Sequence, residues 1–413
     1  MPSPLFTPLT LASGATIPNR VAKAAMEENM AASGQLPGSD LFTLYRRWSK
    51  GGAGLLITGN VMVHDAAMTG PAGVVLDSHS PLEPFREWAA AAKSGGAKVW
   101  MQINHPGRQV RSDLPGVAWG PSAIRVQAGR VTKRLAMPVE MTSAQIAETV
   151  ERFAVTARLA EEAGFDGVEI HAAHGYLLSQ FLSPLANQRT DPWGGSLENR
   201  ARLLLDVVRA VRAAVAPAFA VAVKLNSADF QRGGFDADDA ATVIRMLTPL
   251  GVDLVELSGG SYEAPAMTGQ AKDSRTQARE AYFLTLAEDL AKTSPLPLML
   301  TGGITRRPVA DEVLDGGIAL VGMGSALAVD PDLPNRWHHG EDARVALAPV
   351  TIEDKAIASA ASMSRIRYQL RRLGRGRSAR PGVSAWLALS LDQLRVPRDR
   401  RRYSTWLTAR RAS

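Results

Sequence analysis

Eight short apolar runs rich in β-branched residues recur along this chain, at Arg20–Met26, Leu55–Val63, Lys98–Asn104, Gly167–His171, Ala218–Leu225, Val252–Leu257, Leu296–Thr301 and Ile318–Met323. Helical periodicity fills most of the intervals. Ser143–Ala163 places Ile146, Val150, Phe153 and Leu159 at helical spacing, and Leu197–Val215 does the same with Leu203, Val207, Val208 and Val211. Strands that are apolar throughout need cover on both faces, and strict alternation with helices makes their sheet parallel. Eight such units predict an α/β fold, a (β/α)8 TIM barrel. A doubly wound sheet, the competing architecture, would announce itself by Gly-x-Gly-x-x-Gly after its first strand. Here Gly51-Gly52-Ala53-Gly54 precedes a strand instead, and Gly322-Met323-Gly324 lacks the third glycine.

The 413 residues, 46% of them hydrophobic, can bury a large core, and they include no cysteine. That excludes disulfides, a thiolate nucleophile, a Cys-ligated zinc site and an iron–sulfur cluster. Redox chemistry would therefore need a bound organic cofactor. Met1-Pro-Ser-Pro-Leu-Phe6 does not read as a secretory signal, and no apolar run approaches the ~18–20 residues of a membrane span. A cytoplasmic protein without integral membrane association is expected.

Charge divides the chain. The net is +7, but residues 365–413 hold fourteen arginines, no lysine and only Asp392 and Asp399, so this segment carries +12 and the remainder −5. We expect a barrel domain over residues 1–350 and an Arg-rich helical C-terminal extension over 351–413. Tyr368-Gln-Leu-Arg-Arg-Leu and Trp386-Leu-Ala-Leu-Ser-Leu-Asp-Gln-Leu394 read as helices, divided by Gly374, Gly376, Pro381 and Gly382. They would pack on the barrel or on a neighbouring subunit as a homo-oligomer, with their arginines solvated. A membrane surface or an acidic partner is the alternative occupant. Nucleic acid is not an expected partner, because no recognition motif accompanies the charge.

One connection is out of proportion. Between Asn104 and Ser143 lie almost forty residues including Pro106, Pro115, Pro121 and Pro138, where βα loops ordinarily run ~2–6 residues. At the C-terminal mouth of a barrel strand, this segment would be a lid or a wall of the substrate pocket.

Barrel active sites are built at the C-terminal ends of the strands, so polar residues interrupting the apolar runs there are the candidates. They are Gln102, Asn104 and His105 after strand three, Glu169, His171, His174 and Tyr176 at strand four, and Lys224 in strand five. His171 and His174 could ligate a metal with Glu169 or His105, form a structural pair, or donate two hydrogen bonds to one substrate oxygen. Lys224 could pair with Glu256, form a Schiff base, or hold an anionic or electron-accepting ring. Thr301-Gly302-Gly303-Ile304 and Gly322-Met323-Gly324-Ser325 close strands seven and eight, where barrels commonly hold a phosphate.

These residues resemble the old yellow enzyme family of FMN-dependent NAD(P)H oxidoreductases, from about Leu5 to Trp337. The most specific stretch is Phe165-Asp-Gly-Val-Glu-Ile-His-Ala-Ala-His-Gly-Tyr-Leu-Leu-Ser-Gln-Phe-Leu-Ser-Pro184, continued by Asn187, Arg189, Asp191 and Gly194-Gly-Ser-Leu-Glu-Asn-Arg200. Pro18-Asn-Arg20, Ala24-Ala-Met26, Gln102-Ile-Asn-His-Pro-Gly-Arg108, Pro121-Ser-Ala123 and Asp330-Pro331 support it. The resemblance implies that His171 and His174 hold the substrate's activating oxygen, and that Tyr176 protonates its carbon. It implies that Ala25, Met26, Glu27, Gly59, Gln102 and Lys224 border the flavin ring, and that Gly302, Gly303, Gly324 and Ser325 hold its phosphate. The function implied is reduction of electron-poor C=C bonds, enone or enoyl, in a small-molecule substrate by hydride from flavin N5. NADH or NADPH would be the transient donor. Two positions depart from the family: Glu27 stands where relatives commonly carry Thr or Cys, and Ser325 where many place an arginine. The alternatives are a metal-dependent barrel lyase or hydrolase using His171 and His174, and a flavin-binding scaffold that acts through its tail.

Overall fold

The computed structural model describes residues 3–264, 284–346 and 349–412. Eight parallel strands close on themselves: β1 (Val21–Lys23), β2 (Leu55–Ile57), β3 (Lys98–Asn104), β4 (Gly167–Ala172), β5 (Ala220–Asn226), β6 (Leu254–Ser258), β7 (Leu298–Thr301) and β8 (Leu320–Met323). Each pairs with the next, and Val21↔Val321 closes the ring between β1 and β8. The fold is a (β/α)8 TIM barrel. Each strand matches one of the apolar runs, although the run Leu55–Val63 breaks after Ile57 and resumes as a short separate strand, Val61–Met62.

The surrounding helices begin where local chemistry satisfies their first amides. The helix Ser143–Glu162 carries a capping box, Thr142 accepting from the Gln145 amide while the Gln145 side chain accepts from the Thr142 amide. The helix Leu197–Ala214 is capped by the Ser196 hydroxyl and Ala237–Leu247 by the Asp236 carboxylate.

Two-residue periodicity sorts the strands. Val21, Leu56, Val99, Val168, Val221 and Val255 face outward and pack beneath the helices, each worth ~1.5–3 kcal/mol on full burial. Ala22, Leu55, Ile57, Trp100, Ala222, Leu254, Met299 and Leu320 face inward and fill the barrel. A hairpin of Leu9–Thr10 and Thr16–Ile17 supplies Leu9, Leu11 and Ile17 to the same inner cluster. The same alternation carried two residues further gives Ala24, Gly59, Gln102, Lys224, Glu256, Thr301 and Gly322, with Glu169 two residues after Gly167 of β4. The apolar filling thus gives way to a polar layer toward the C-terminal mouth.

The C-terminal extension holds three helices, which we label α1 (Lys355–Gly374), α2 (Ala385–Gln393) and α3 (Val396–Ala412). Two were expected; the third, α3, was not. Tyr403 and Leu407 of α3 are buried against Met62, Ala66, Met68 and Val75 of the loop after β2, and the Tyr403 hydroxyl donates to the Asp65 carbonyl at 2.9 Å. The expectation of solvated arginines fails at several positions. Arg410 pairs with Asp65 at 3.2 Å and with Asp77, and Arg367 with Glu27 at 2.5 Å, both largely buried, whereas Arg400 reaches Asp113 at 3.2 Å and stays exposed. The acids concerned belong to the negatively charged remainder of the chain, so part of the charge asymmetry is satisfied within one molecule. Among the described residues no helix is long and apolar enough to cross a membrane.

Candidate active site

Strand register assembles the mouth. His171 lies beside Lys224, Lys224 beside Glu256, Glu169 beside Gln102, and Asn226 beside Ser258. Across the ring, Thr301 lies beside Gly322, and Met323 beside Lys23.

After β4 the chain turns sharply, with His174 at φ 61° and Gly175 at φ 72°. A Cβ on Gly175 would sit 2.9 Å from Ser261 Cβ, so a larger residue would displace the loop after β6. Neighbouring loops hold the turn: Asn226 Oδ1 accepts from the His174 amide at 3.0 Å, Gln109 Nε2 donates to the His174 carbonyl at 2.8 Å, and Gln180 Nε2 donates to the Gly175 carbonyl at 2.6 Å. The result brings His171, His174 and Tyr176 together. The His171 ring lies edge-on to both others, at 5.0 Å from His174 and 4.9 Å from Tyr176.

Protonation follows from burial. His171 Nδ1 accepts from the Ala173 amide at 3.2 Å, which leaves the proton of the neutral ring on Nε2. Burial, then the neighbouring His174 and Lys224, hold the His171 pKa well below the usual histidine range. Burial and Lys224 lower His174 to about 3, and its Nε2 meets Ser258 Oγ at 2.7 Å. Tyr176 is pushed the other way, well above the usual phenol range, by burial and by Tyr262 and Glu27. Near neutrality the site therefore offers two uncharged imidazoles and an un-ionised phenol.

Beneath them sits a charged layer. Lys224 Nζ donates to Glu256 Oε1 at 2.5 Å, with side-chain exposures of 3% and 0%, so the ion pair weighed for Lys224 is formed. Gln102 Nε2 donates to Glu169 Oε1 at 2.7 Å. Burial and the adjacent Glu256 push the Glu169 carboxyl well above the usual range, whereas Lys224 overrides burial and keeps Glu256 low. Of the two neighbouring carboxyls, Glu169 is thus the one whose ionisation burial and charge disfavour.

On the β1 side, Met26 closes on the other half of the mouth, its Cγ 3.5 Å from where a Cβ on Gly324 would stand. Gly59 admits no side chain, since a Cβ would overlap Glu28 Oε2 and the Met26 carbonyl. Glu28, next to the candidate Glu27, accepts from Tyr45 Oη at 2.5 Å and from the Gly59 amide at 3.1 Å. Lys23, buried completely between barrel and helix, donates to Tyr45 Oη at 3.1 Å and to the Ile57 carbonyl at 2.6 Å, and burial lowers its pKa to about 8 despite Glu28. Glu27 does not point to open solvent: Thr69 Oγ1 donates to it at 2.5 Å and Arg367 pairs with it at 2.5 Å.

Several residues here escaped sequence reading. Ser258, Asn226, Tyr262 and Arg367 lie far in sequence from the histidines, and only the inward phase of β5 and β6 could have pointed to the first two. Tyr262 Oη lies 3.3 Å from Tyr176 Oη. Conversely, the later part of the long motif is scaffold. Asn187 Nδ2 donates to the Phe181 and Trp193 carbonyls, and Arg189 grips Asp191 and the carbonyls of Pro121 and Met141 in the long segment after β3. No group of three or more His, Asp or Glu suited to a metal occurs among the described residues. His105, one proposed third ligand, is instead stacked on Trp119 with its Nδ1 taken by the Gly107 amide.

The family described as NADH:flavin oxidoreductase / NADH oxidase matches residues 4–343. An NADH-dependent flavin oxidoreductase of Neonectria sp. is 39% identical over 79% of this chain, which spans only 46% of that protein. One from Hypocrea jecorina is 38% identical, over 79% of this chain and 87% of its own length. The solved structure of the old yellow enzyme homologue from Zymomonas mobilis matches with a TM-score of 0.70 at 26% identity, covering 84% of this chain and 95% of that one. A barrel with this mouth, matched along its length, makes the chain a member of the FMN-dependent flavin oxidoreductases, the old yellow enzyme family.

Proposed function

We propose that this chain is an NAD(P)H oxidoreductase that reduces the C=C bond of small electron-poor alkenes, of the enone or enoyl type. The observation that carries the reading is the convergence of two neutral imidazoles and an un-ionised phenol above a buried ammonium. The donor set fits FMN: Lys224 and Gln102 for the ring's polar edge, Ala25, Met26 and Gly59 for its other borders, and the Gly302-Gly303 and Gly324-Ser325 segments, on adjacent strands, for its phosphate. When bound, FMN supplies the hydride, itself replenished by NADH or NADPH.

The chain's residues do the rest. His171 and His174 bind the activating oxygen of the alkene, and their neutral N–H groups stabilise the negative charge that grows on it during reduction. Tyr176 delivers a proton from Oη to the substrate carbon, a role its raised pKa preserves into the alkaline range. Burial of the whole layer excludes water and strengthens each of these interactions.

The test is visible absorbance of the purified protein, followed by NAD(P)H oxidation with a panel of enones and nitroalkenes. A yellow protein that oxidises NAD(P)H only when an activated alkene is present supports the reading. A yellow protein that turns over none of them refutes it.

A further inference from the structure

We propose that Arg367, on the C-terminal extension, is a positioning residue of the redox site: its guanidinium cancels the charge of Glu27 at the mouth and so sets the potential at which the bound flavin accepts electrons. The inference rests on FMN lying beside Met26 and Glu27, and it concerns regulation of that site.

Four charges form a chain from the barrel into the extension. Arg367 Nη2 reaches Glu27 Oε2 at 2.5 Å and Arg367 Nη1 reaches Asp392 Oδ2 at 3.2 Å, while Arg371 Nη1 reaches Asp392 Oδ1 at 2.7 Å. Ser364 Oγ adds a bond to Asp392 at 3.1 Å. The side chains are largely buried, with exposures of 15% for Glu27, 20% for Arg367 and 7% for Asp392. Two arginines and two acids sum to zero, so the ladder is no anion-binding site. Its effect is to present a neutral edge where Glu27 alone would present a negative one.

Both ends of the Arg367–Glu27 pair act on the candidate catalytic phenol. Burial raises the pKa of Tyr176 and of Tyr262; Glu27 raises each further, and Arg367 opposes it at both. The pair therefore lies within electrostatic range of the chemistry, not merely on the outer surface. Burial disfavours the charge on Arg367, yet Glu27 and Asp392 more than compensate and drive its pKa upward.

Placement in α1 gives the arginine a fixed address. That helix packs against the short helix Ser325–Val329, which follows directly on Gly324. The extension is thereby tied to the same edge of the barrel as the proposed phosphate segment. The helix supplies in cis a charge that the barrel's own sequence lacks at this point.

The two acids respond differently to loss of Arg367. Asp392 keeps Arg371 and Ser364, whereas Glu27 keeps only the Thr69 hydroxyl among its described partners. Arg367→Gln therefore bares one carboxylate, at the flavin side. A negative charge close to the ring opposes electron uptake, and a positive one favours it.

The experiment is a redox titration of the FMN-loaded full-length protein and of Arg367→Gln, Glu27→Gln and the double variant. Arg367→Gln should move the flavin potential to more negative values, Glu27→Gln to more positive ones, and the double variant back toward wild type. Arg367→Lys should recover most of the shift. If Arg367→Gln does not fold, Glu27→Gln alone still decides, since glutamine can accept both hydrogen bonds while leaving the ladder with one net positive charge, Arg367 keeping only Asp392. Four coincident potentials would overturn the proposal and leave the pair a purely structural clasp, visible only as lost stability. No substrate enters the titration, so its outcome is independent of whether the protein reduces alkenes.

Discussion

Glu256→Gln probes the buried charge layer, and the structure fixes how much it should cost. Lys224 and Glu256 are in contact at 2.5 Å with almost no exposure, and removing one partner of such a pair ordinarily costs roughly 3–5 kcal/mol. A reserve is present here. Glu169 lies close to Glu256, and burial and the charge on Glu256 both push its carboxyl well above the usual range. Neutralising Glu256 removes that repulsion, so ionisation of Glu169 becomes easier and its carboxylate can supply the missing countercharge while keeping the donor bond from Gln102. The cost should then fall to roughly 1–2 kcal/mol. Glu169→Gln, which replaces a carboxyl of disfavoured ionisation by a near isostere, should cost under about 1 kcal/mol. The double variant strands Lys224 and should return to roughly 3–5 kcal/mol, exceeding the sum of the singles by ~1–3 kcal/mol. Urea denaturation of all four FMN-loaded proteins, at one FMN concentration and one pH, measures these differences. Additive costs, or a full-sized loss in Glu256→Gln alone, would refute the substitution of one carboxylate for the other.

Three further outcomes follow from the same geometry. His171→Ala, which deletes a fixed neutral donor, should lower kcat for an enone by ~10²–10³ while the protein stays yellow; steady-state kinetics check it, and turnover near wild type contradicts the role. For His174, whose folded pKa is about 3 against ~6.5 unfolded, the unfolded chain takes up a proton that the folded chain refuses. Stability should therefore fall by ~1.4 kcal/mol per pH unit as pH drops below ~6.5 toward ~3, and urea midpoints of His174→Asn should lose part of that slope. Arg410→Ala leaves Asp77, with 8% of its side chain exposed, without its cation; we expect a loss of ~1–3 kcal/mol and faster proteolysis of the extension, with partial recovery in Arg410→Lys.

The barrel was legible because it is written locally. Each strand needs only a short apolar run, and two-residue alternation then decides which side chains enter the mouth, so Gln102, His171 and Lys224 could be picked out one strand at a time. The motif after Phe165 carried the histidines and Tyr176 within one turn, where sequence neighbours are also spatial neighbours. What stayed hidden depends on contacts between distant segments. Nothing near Glu27 announces Arg367, and the charge excess of residues 365–413 looks like a solvated surface until its partners Asp65, Asp77 and Asp113 are brought against it. The helix α3 was missed for a related reason: its burial rests on Tyr403 and Leu407, two residues set in an otherwise polar, arginine-rich segment. Lys23 escaped notice because it sits within an apolar run, and its partners Tyr45 and Glu28 come from two other segments.

In the proposed reaction, hydride passes from NAD(P)H through bound flavin to an activated alkene, and Tyr176 adds the proton. Its most direct test follows an isotope. The FMN-loaded protein is given an enone and NAD(P)H carrying deuterium at the transferable position of the nicotinamide, and the product is examined by NMR. Deuterium is expected at the β-carbon and a solvent-derived hydrogen at the α-carbon, with Tyr176→Phe slowing product formation. Deuterium appearing elsewhere, or a saturated product formed at an undiminished rate by Tyr176→Phe, would contradict it.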